Sequence, residues 1–280
     1  MGIRGLSSYV KHRIEEYSID YELHDTYAVI DGKCVNFHTY FSNKLDPYFG
    51  GEYEQHEELI STFFEELLAC NVKPLILLDG GIEDKKMDCL LERTQQRLKA
   101  ASQTIFNQEK FLMPILTKEI FVNVARRKNI RVVQTTFEAD DDIASIARIL
   151  DCPVISNDSD FYIYDVKYIP LDSLRNGLSQ NSKGRLVKRC RLHTNASFVK
   201  NFPGLETKML PLAAAILGND FIGPAIFENF MKSLDSFNHL CSTRIRGEWH
   251  RNIEVLFFWI RNHKTLDSAI AEVLKKIISR

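Results

Sequence analysis

The sequence predicts an α/β fold, with a parallel sheet flanked by helices in the first part of the chain and helices alone in the last part. Three observations support this prediction. Short apolar runs alternate with amphipathic helical patterns up to about residue 170, as is typical of βαβ units. Beyond about residue 197 the pattern is helical only. Hydrophobic residues make up 45% of the 280 residues, which is enough for a sizeable core.

Four short and mainly apolar runs predict the strands of the sheet. Because these runs do not alternate with polar residues, they are typical of strands buried on both faces. They lie at residues 27–30, 74–78, 130–133 and 153–156. Helices are predicted between them, at about residues 52–70, 83–105, 110–128 and 138–150.

The chain changes in character after residue 170. Residues 171–195 are rich in Ser, Asn, Gly, Lys and Arg, which predicts an exposed loop. Its basic residues at 183–191 would contact a nucleic-acid backbone, serve nuclear import or simply form a solvated surface. We therefore expect a core domain over residues 1–170, and a second part over 171–280 that begins with this basic loop and continues as helices, including 210–217 and 266–278.

Composition excludes several classes of protein. Charged residues make up 26%, which is ordinary for a globular protein and argues against disorder. No apolar run approaches the roughly 18 residues that span a bilayer, and the N-terminal stretch lacks the apolar segment of a signal peptide. Six scattered cysteines without a CxxC pair favour reduced thiols over disulfides or zinc. The net charge of −1 is, on its own, a poor indication of nucleic-acid binding.

Acidic residues follow three of the predicted strands at the point where each strand ends. Ligand sites in parallel α/β sheets lie at the carboxyl ends of strands, so these acids should meet at one edge. Two more acids open the helix that precedes the fourth strand, and its N-terminus should lie at that edge. The set consists of Asp31, Asp79, Glu138, Asp140, Asp158 and Asp160.

Carboxylates crowded at one edge require a cation. Two like charges about 4 Å apart repel by several kcal/mol at a dielectric constant of about 20. Because the set offers oxygen ligands and neither Cys nor His, it indicates Mg²⁺ or Mn²⁺ rather than zinc. Two such ions can clamp the attacking and leaving oxygens of a phosphodiester.

Each acid also has a simpler interpretation. Asp31 and Asp79 both precede glycine, which is a common turn signal. Glu138 could close a capping box with Thr135, and Asp140 suits the first turn of a helix. The acids after the fourth strand could lie in a solvated loop. A metal site is favoured because several of these acids occur together at the ends of predicted strands.

A basic stripe is predicted on the helix that follows Asp79. Lys86, Arg93 and Arg97 are separated by seven and four residues, so they fall on one side of a helix. Beside an acidic metal site such a stripe could bind a phosphate chain. A solvated charged face is the alternative.

Several motifs resemble those of the XPG/flap endonuclease family of PIN-like nucleases, and most closely those of its Asteroid branch. The chain begins MGIRGL and contains LLDGG at 77–81, EAD at 138–140, DSDF at 158–161 and LGND at 217–220. The resemblance covers nearly the whole chain. It implies a PIN-like fold with arch-like helices at about 83–128, and a helical C-terminal part that resembles the family's I-region.

The resemblance also implies roles for single residues. Lys86 and Arg93 match the basic catalytic pair, Phe37 an aromatic that stacks near the scissile nucleotide, and Gly2 a residue near the substrate. We add Arg97, from the basic stripe, to the substrate-binding residues. The implied metal ligands are Asp31, Asp79, Glu138, Asp140, Asp158, Asp160 and Asp220.

The chain departs from the family pattern in three places. The stretch between Asp79 and Glu138 is shorter than in flap endonucleases, which predicts a reduced arch. The family's helix–hairpin–helix loop is cut down to residues 221–225, so it is degenerate. Asp140 replaces a glutamate, which shortens one ligand arm.

We therefore expect a DNA endonuclease that uses two Mg²⁺ (or Mn²⁺) ions and acts in DNA repair. The expected location is the nucleus, and the cytoplasm is left open as a second location. The expected substrate is single-stranded or overhang DNA, and repair proteins are expected as further partners. The protein is expected to be a monomer that does not associate with membranes. The alternative is a nuclease-like scaffold with weak or no catalysis. A small-molecule phosphatase is disfavoured because Asp31-Gly32-Lys33 lacks the second acid of that motif. When the seven implied ligands are left out of the net charge of −1, the rest of the chain carries a charge of +6. A positive charge of this kind favours binding to a polyanion such as DNA.

Overall fold

The fold was analysed in a computed structural model that describes residues 3–48, 50–103, 112–218, 222–242 and 247–278. The strands are β1 (Ile19–Leu23), β2 (Tyr27–Asp31), β3 (Lys73–Leu78), β4 (Arg131–Gln134), β5 (Val154–Ser156), β6 (Tyr168–Pro170), β7 (Ser179–Gln180) and β8 (Leu186–Leu192). The helices are α1 (Leu6–Lys11), α2 (Ile14–Tyr17), α3 (Gly32–Ser42), α4 (Tyr53–Ala69), α5 (Met87–Gln103), α6 (Thr117–Arg127), α7 (Asp140–Ile149), α8 (Asn195–Val199), α9 (Leu210–Leu217), α10 (Glu228–Lys232), α11 (Glu248–Ile260) and α12 (Leu266–Ile278).

The chain divides into two compact units. The first, called here the sheet unit, comprises residues 20–157 and 166–192. The second, called the helical unit, comprises the residues up to Ile19 together with 158–165 and the chain from His193 onward. This division differs from the single boundary expected at residue 170.

A parallel sheet of five strands forms the centre of the sheet unit, in the order β4-β3-β2-β5-β6. Ile30 in the central strand β2 lies opposite Ile76 on one side and Ile155 on the other. On this sheet pack the buried apolar faces of α4 and α6, where the rings of Phe64 and Phe121 lie 5.6 Å apart. The predicted α/β class is therefore confirmed, and the four predicted strands are all present within one residue of their expected ends. β6 is an additional edge strand of three residues.

The loop expected at residues 171–195 is wrong in part, because β7 and β8 form an antiparallel hairpin there. β8 has seven residues and buries Val187, Cys190 and Leu192. Lys188 is also buried, and its ammonium pairs with Glu66. Pairing with Glu66 offsets the cost of burying this charge, so a basic residue can stand within a strand. Composition does not reveal such a pair, and for that reason the basic residues of this stretch indicated a loop.

The helical unit is built around α11. Ile253, Leu256 and Phe257 are fully buried, and the rings of Phe198 and Phe202 lie 5.3 and 4.9 Å from that of Phe257. The predicted helices 210–217 and 266–278 correspond to α9 and α12. In the described part of the chain, no helix is both long and apolar enough to cross a bilayer.

Candidate functional site

Asp31 lies where three neighbouring strands of the sheet unit end. It is the last residue of β2 and caps α3, because its Oδ1 accepts a hydrogen bond from the Cys34 amide at 3.0 Å. Its Oδ2 accepts one of 2.7 Å from the hydroxyl of Ser156, the last residue of β5. Asp79 follows the last residue of β3, the strand on the other side. The parallel register thus brings the ends of these strands to one edge, as the sequence predicts.

The Asp31 carboxyl group is only 8% exposed. Burial raises its pKa above the usual value, and the negative charge of Asp79 raises it further. An ionised carboxylate is expensive to bury, and a second acid nearby adds to the cost. The pair therefore favours a cation at this edge of the sheet.

Asp79 connects the end of β3 to the segment that leads into α7. Its Oδ1 accepts a hydrogen bond of 3.1 Å from the amide of Ala139. Its Oδ2 lies 2.6 Å from the ammonium of Lys33. Next to Asp79, the amide of Gly80 donates to the carbonyl of Phe137 at 2.7 Å, so the two segments are joined along their backbones.

Glu138 lies just before α7, which begins at Asp140. The side chain of Glu138 pairs with the ammonium of Lys86, whose own side chain is only 11% exposed. The capping box with Thr135 does not form, because the Thr135 hydroxyl donates instead to the carbonyl of Phe137 at 2.6 Å. Asp140 is half-buried in the first turn of the helix.

Asp158 and Asp160 belong to the helical unit. Asp158 caps a short 3-10 turn, because its Oδ1 accepts a hydrogen bond of 3.1 Å from the Asp160 amide. Asp160 Oδ1 in turn accepts one of 3.1 Å from the amide of Ile3. The two acids are therefore held by backbone amides, one of which comes from the N-terminal segment.

The predicted basic stripe is only partly helical. Lys86 lies in a 3-10 turn that precedes α5, where its ammonium pairs with Glu138, whereas Arg97 is exposed on α5 itself. Arg93 is also part of α5, but its side chain lies outside the described structure, as do Gly2 and Asp220. Phe37 is 48% exposed on α3, and its ring lies 4.4 Å from that of Phe41.

Two side chains at this edge were not predicted as site residues, namely Lys33 and Ser156. Lys33 stands two positions after a strand-end acid, and Ser156 is the last residue of a strand, so the sequence places both near this edge. The sequence does not predict their contacts with Asp79 and Asp31, because each contact joins segments that are far apart in the chain. Two of the predicted site acids in the sheet unit, Asp79 and Glu138, therefore contact lysines of the protein itself, Lys33 and Lys86.

Metal-binding geometry is not preassembled in the described residues. Among them, no group of three or more His, Cys, Asp and Glu side chains is arranged to hold an ion. The donors nevertheless suit a hard divalent ion in their chemistry, since all are carboxylate oxygens and Asp31 is a buried acid beside another acid. Lys33 and Lys86 already offset part of the negative charge of Asp79 and Glu138, which a divalent ion would also neutralise.

Comparison with known proteins identifies relatives along nearly the whole chain. The chain is 34% identical to the human protein named single-strand DNA endonuclease ASTE1 over 98% of its length, and 32% identical to protein asteroid of Drosophila melanogaster over 99%. It covers 41% and 38% of those two proteins, so it spans about two fifths of the length of these relatives. No family model matches the chain.

Solved structures with a similar fold include two nucleases in complexes with DNA. The catalytic core of Rad2 with a DNA substrate matches 98% of this chain and 86% of that one, with a TM-score of 0.52 and 14% identity. Human GEN1 with Holliday junction DNA matches 98% of this chain and 62% of that one, with a TM-score of 0.51 and 13% identity. At these identities the likeness concerns the fold alone, and it confirms the predicted PIN-like fold.

Proposed function

We propose that this chain belongs to the Asteroid branch of the XPG/flap endonuclease family of PIN-like nucleases, because it is 34% and 32% identical to two named relatives in that branch along nearly its whole length. Relatives in that branch are named single-strand DNA endonucleases. We infer that this chain is likewise a divalent-metal-dependent endonuclease, which hydrolyses phosphodiester bonds in single-stranded or overhang DNA. Because the chain spans about two fifths of those relatives, the activity is proposed for this region.

One observation carries the proposal, which is the buried carboxylate of Asp31 beside Asp79 at the ends of adjacent parallel strands. A site that only bound DNA would have no use for buried negative charge, because the phosphate chain is itself negative. A bound divalent ion would lower the pKa of its water to supply the nucleophile, and would stabilise charge on the phosphate. We assign two Mg²⁺ (or Mn²⁺) ions to the acids Asp31, Asp79, Glu138, Asp140, Asp158, Asp160 and Asp220.

The basic residues have a separate task in this proposal. Lys86 and Arg93 would donate hydrogen bonds to the phosphate oxygens as charge develops there. Lys86 is held beside Glu138, so its ammonium is already at the acidic edge of the sheet unit. Gly2, Phe37 and Arg97 would contact the substrate strand. The setting we propose is DNA repair in the nucleus, by a monomer that works with repair proteins.

Cleavage assays test this function directly. The purified chain is incubated with labelled single-stranded, overhang and duplex DNA, in Mg²⁺ or in EDTA, alongside Asp31→Asn and the exposed control Asp267→Asn. We expect cleavage of the first two substrates that EDTA and Asp31→Asn abolish and the control preserves. Cleavage that survives both treatments would overturn the metal assignment. DNA binding without cleavage of any substrate would support the scaffold alternative instead.

A further inference from the structure

An exposed aromatic ring stands directly before one of the proposed metal ligands. Phe137 precedes Glu138 in the sheet unit, and its side chain is 46% exposed. A phenyl ring in water contributes little to folding, since its stabilising effect depends on burial. Its exposure is therefore not explained by the stability of the fold.

The backbone that carries this ring is tightly held. The Phe137 carbonyl accepts hydrogen bonds from the Gly80 amide at 2.7 Å and from the Thr135 hydroxyl at 2.6 Å. The neighbouring Thr136 carbonyl accepts one of 2.8 Å from the Gly81 amide. The ring is thus exposed on a fixed backbone and not at the tip of a loose loop. A backbone segment held in this way loses little conformational entropy when a ligand binds against it.

The same short segment also carries the acidic edge. The residue after Phe137 is Glu138, whose carboxylate pairs with Lys86, and the next amide, that of Ala139, binds Asp79. A DNA strand that reaches Asp79 would therefore pass close to the ring. The other exposed aromatic that we assigned to the substrate, Phe37, has a comparable exposure of 48% and lies in a tilted contact with Phe41 on α3, so Phe137 is a second exposed ring and the one adjacent in sequence to Glu138.

We propose that Phe137 stacks on an unpaired nucleobase of the DNA strand held at this edge. The inference rests on the proposed function, and it adds a residue that favours single-stranded substrate. Only an unpaired and unstacked base can offer its face to a phenyl ring, so duplex DNA would gain nothing from this contact. Stacking tolerates any base, because each has a π face.

Binding to oligothymidylate and to an abasic strand of the same length tests the proposal. Affinities are measured in EDTA, and again with Mg²⁺ in the Asp31→Asn background. Loss of one base–aromatic contact weakens binding by about fivefold to a hundredfold. We expect a loss in this range for Phe137→Ala and Phe137→Leu on oligothymidylate, whereas Phe137→Trp binds as well as the parent or better. On the abasic strand all four proteins should bind equally, because there is no base to stack on.

The matched control is Ile149→Ala, which removes an apolar side chain that is 81% exposed at the far end of α7 in the same unit. It should leave both affinities unchanged. Thermal melting of each variant checks that the fold is intact. A second readout is the emission of Phe137→Trp, which oligothymidylate should quench beyond any change seen with the two native tryptophans.

The outcomes separate the stacking role from the nuclease function. If the parent cleaves single-stranded DNA while Phe137→Ala binds it unchanged, stacking is wrong and the nuclease function stands. If Phe137→Leu binds as the parent does, a general apolar contact replaces stacking. If nothing is cleaved but the base-dependent loss appears, stacking stands and catalysis fails. If the parent neither binds nor cleaves single strands, both proposals fall.

Discussion

The ammonium of Lys33 lies 2.6 Å from Oδ2 of Asp79, next to the buried carboxylate of Asp31. A single positive charge thus offsets part of the negative charge at the ends of β2 and β3. A divalent ion at the same acids would be repelled by this ammonium or would displace it from the Asp79 oxygen. Lys33 is therefore a competitor of the proposed metal.

Replacing Lys33 by methionine should tighten the binding of divalent ions. Removal of one nearby positive charge is worth about 1 kcal/mol in a solvated setting, or roughly fivefold to tenfold in affinity. Titration calorimetry with Mn²⁺ measures this directly, and Lys118→Met provides a control at an exposed lysine of the same unit. Weaker Mn²⁺ binding by the Lys33 variant would show that this lysine supports the site rather than competing for it.

Asp31→Asn should stabilise the metal-free protein while it removes metal binding. Burial raises the pKa of Asp31, so the stability that its protonated form provides is lost as the pH rises through the folded-state pKa. At neutral pH the buried carboxylate therefore destabilises the metal-free fold, and a neutral amide at this position removes that cost. Each kcal/mol of stability gained raises the melting temperature by about 2–4 °C. Thermal melting in EDTA tests the gain.

The same melting experiment with added Mn²⁺ supplies the control. The metal should raise the melting temperature of the parent and leave that of Asp31→Asn unchanged, because only the parent keeps the full ligand set. Equal metal-induced shifts in both proteins would contradict the assignment of Asp31 as a ligand.

The fold was largely predictable because buried parallel strands leave a local signal. Runs such as 74–78 have to be apolar on both faces, and this pattern is visible without any knowledge of the partner strands. The hairpin at 179–192 was missed because its signal is not local. From the sequence, Lys188 is typical of a loop. Its place in a strand depends on its pairing with Glu66, which lies more than a hundred positions earlier in the chain.

The site was predictable to the extent that it depends on strand ends. The parallel register alone places Asp31 and Asp79 on adjacent strands at one edge. The contacts of Lys33, Ser156 and Phe137 could not be read in this way, because they depend on how loops from distant segments meet. Sequence therefore indicated that Asp31 and Asp79 would meet, and the structure added Lys33, Ser156 and the exposed ring of Phe137.

Gly80→Ala should be far more damaging than Gly81→Ala. A Cβ atom at Gly80 would lie 1.9 Å from the carbonyl oxygen of Thr135 and 2.6 Å from that of Thr136, and neither backbone atom can move cheaply. At Gly81 the nearest atom, the Thr136 oxygen, is 3.3 Å away. Overpacking of this kind costs about 1–3 kcal/mol or more, so urea denaturation should show a clear loss at Gly80 only. Similar unfolding midpoints for both variants would mean that the two segments are not held as closely as described.

His56 should make the stability of the protein depend on pH in the mildly acidic range. Its ring is fully buried against Tyr40, at a centroid distance of 5.1 Å, and its Nε2 donates to Oδ1 of Asn36 at 2.9 Å. Burial lowers the pKa of His56 from 6.5 to about 4. The unfolded chain therefore takes up a proton first as the pH falls, so the free energy of unfolding should decrease between about pH 6.5 and pH 4, by up to about 1.4 kcal/mol per pH unit, and stay level above that range.

Urea denaturation across this pH range, with His56→Gln and the exposed control His239→Gln, isolates the contribution of His56. The His56 variant loses ring packing, so its stability is lower at every pH and only the slope of its pH profile is informative. That slope should flatten in His56→Gln, because the residue that protonates on unfolding is gone, and should remain in His239→Gln. A parent slope that persists unchanged in His56→Gln would place the proton uptake at another buried group.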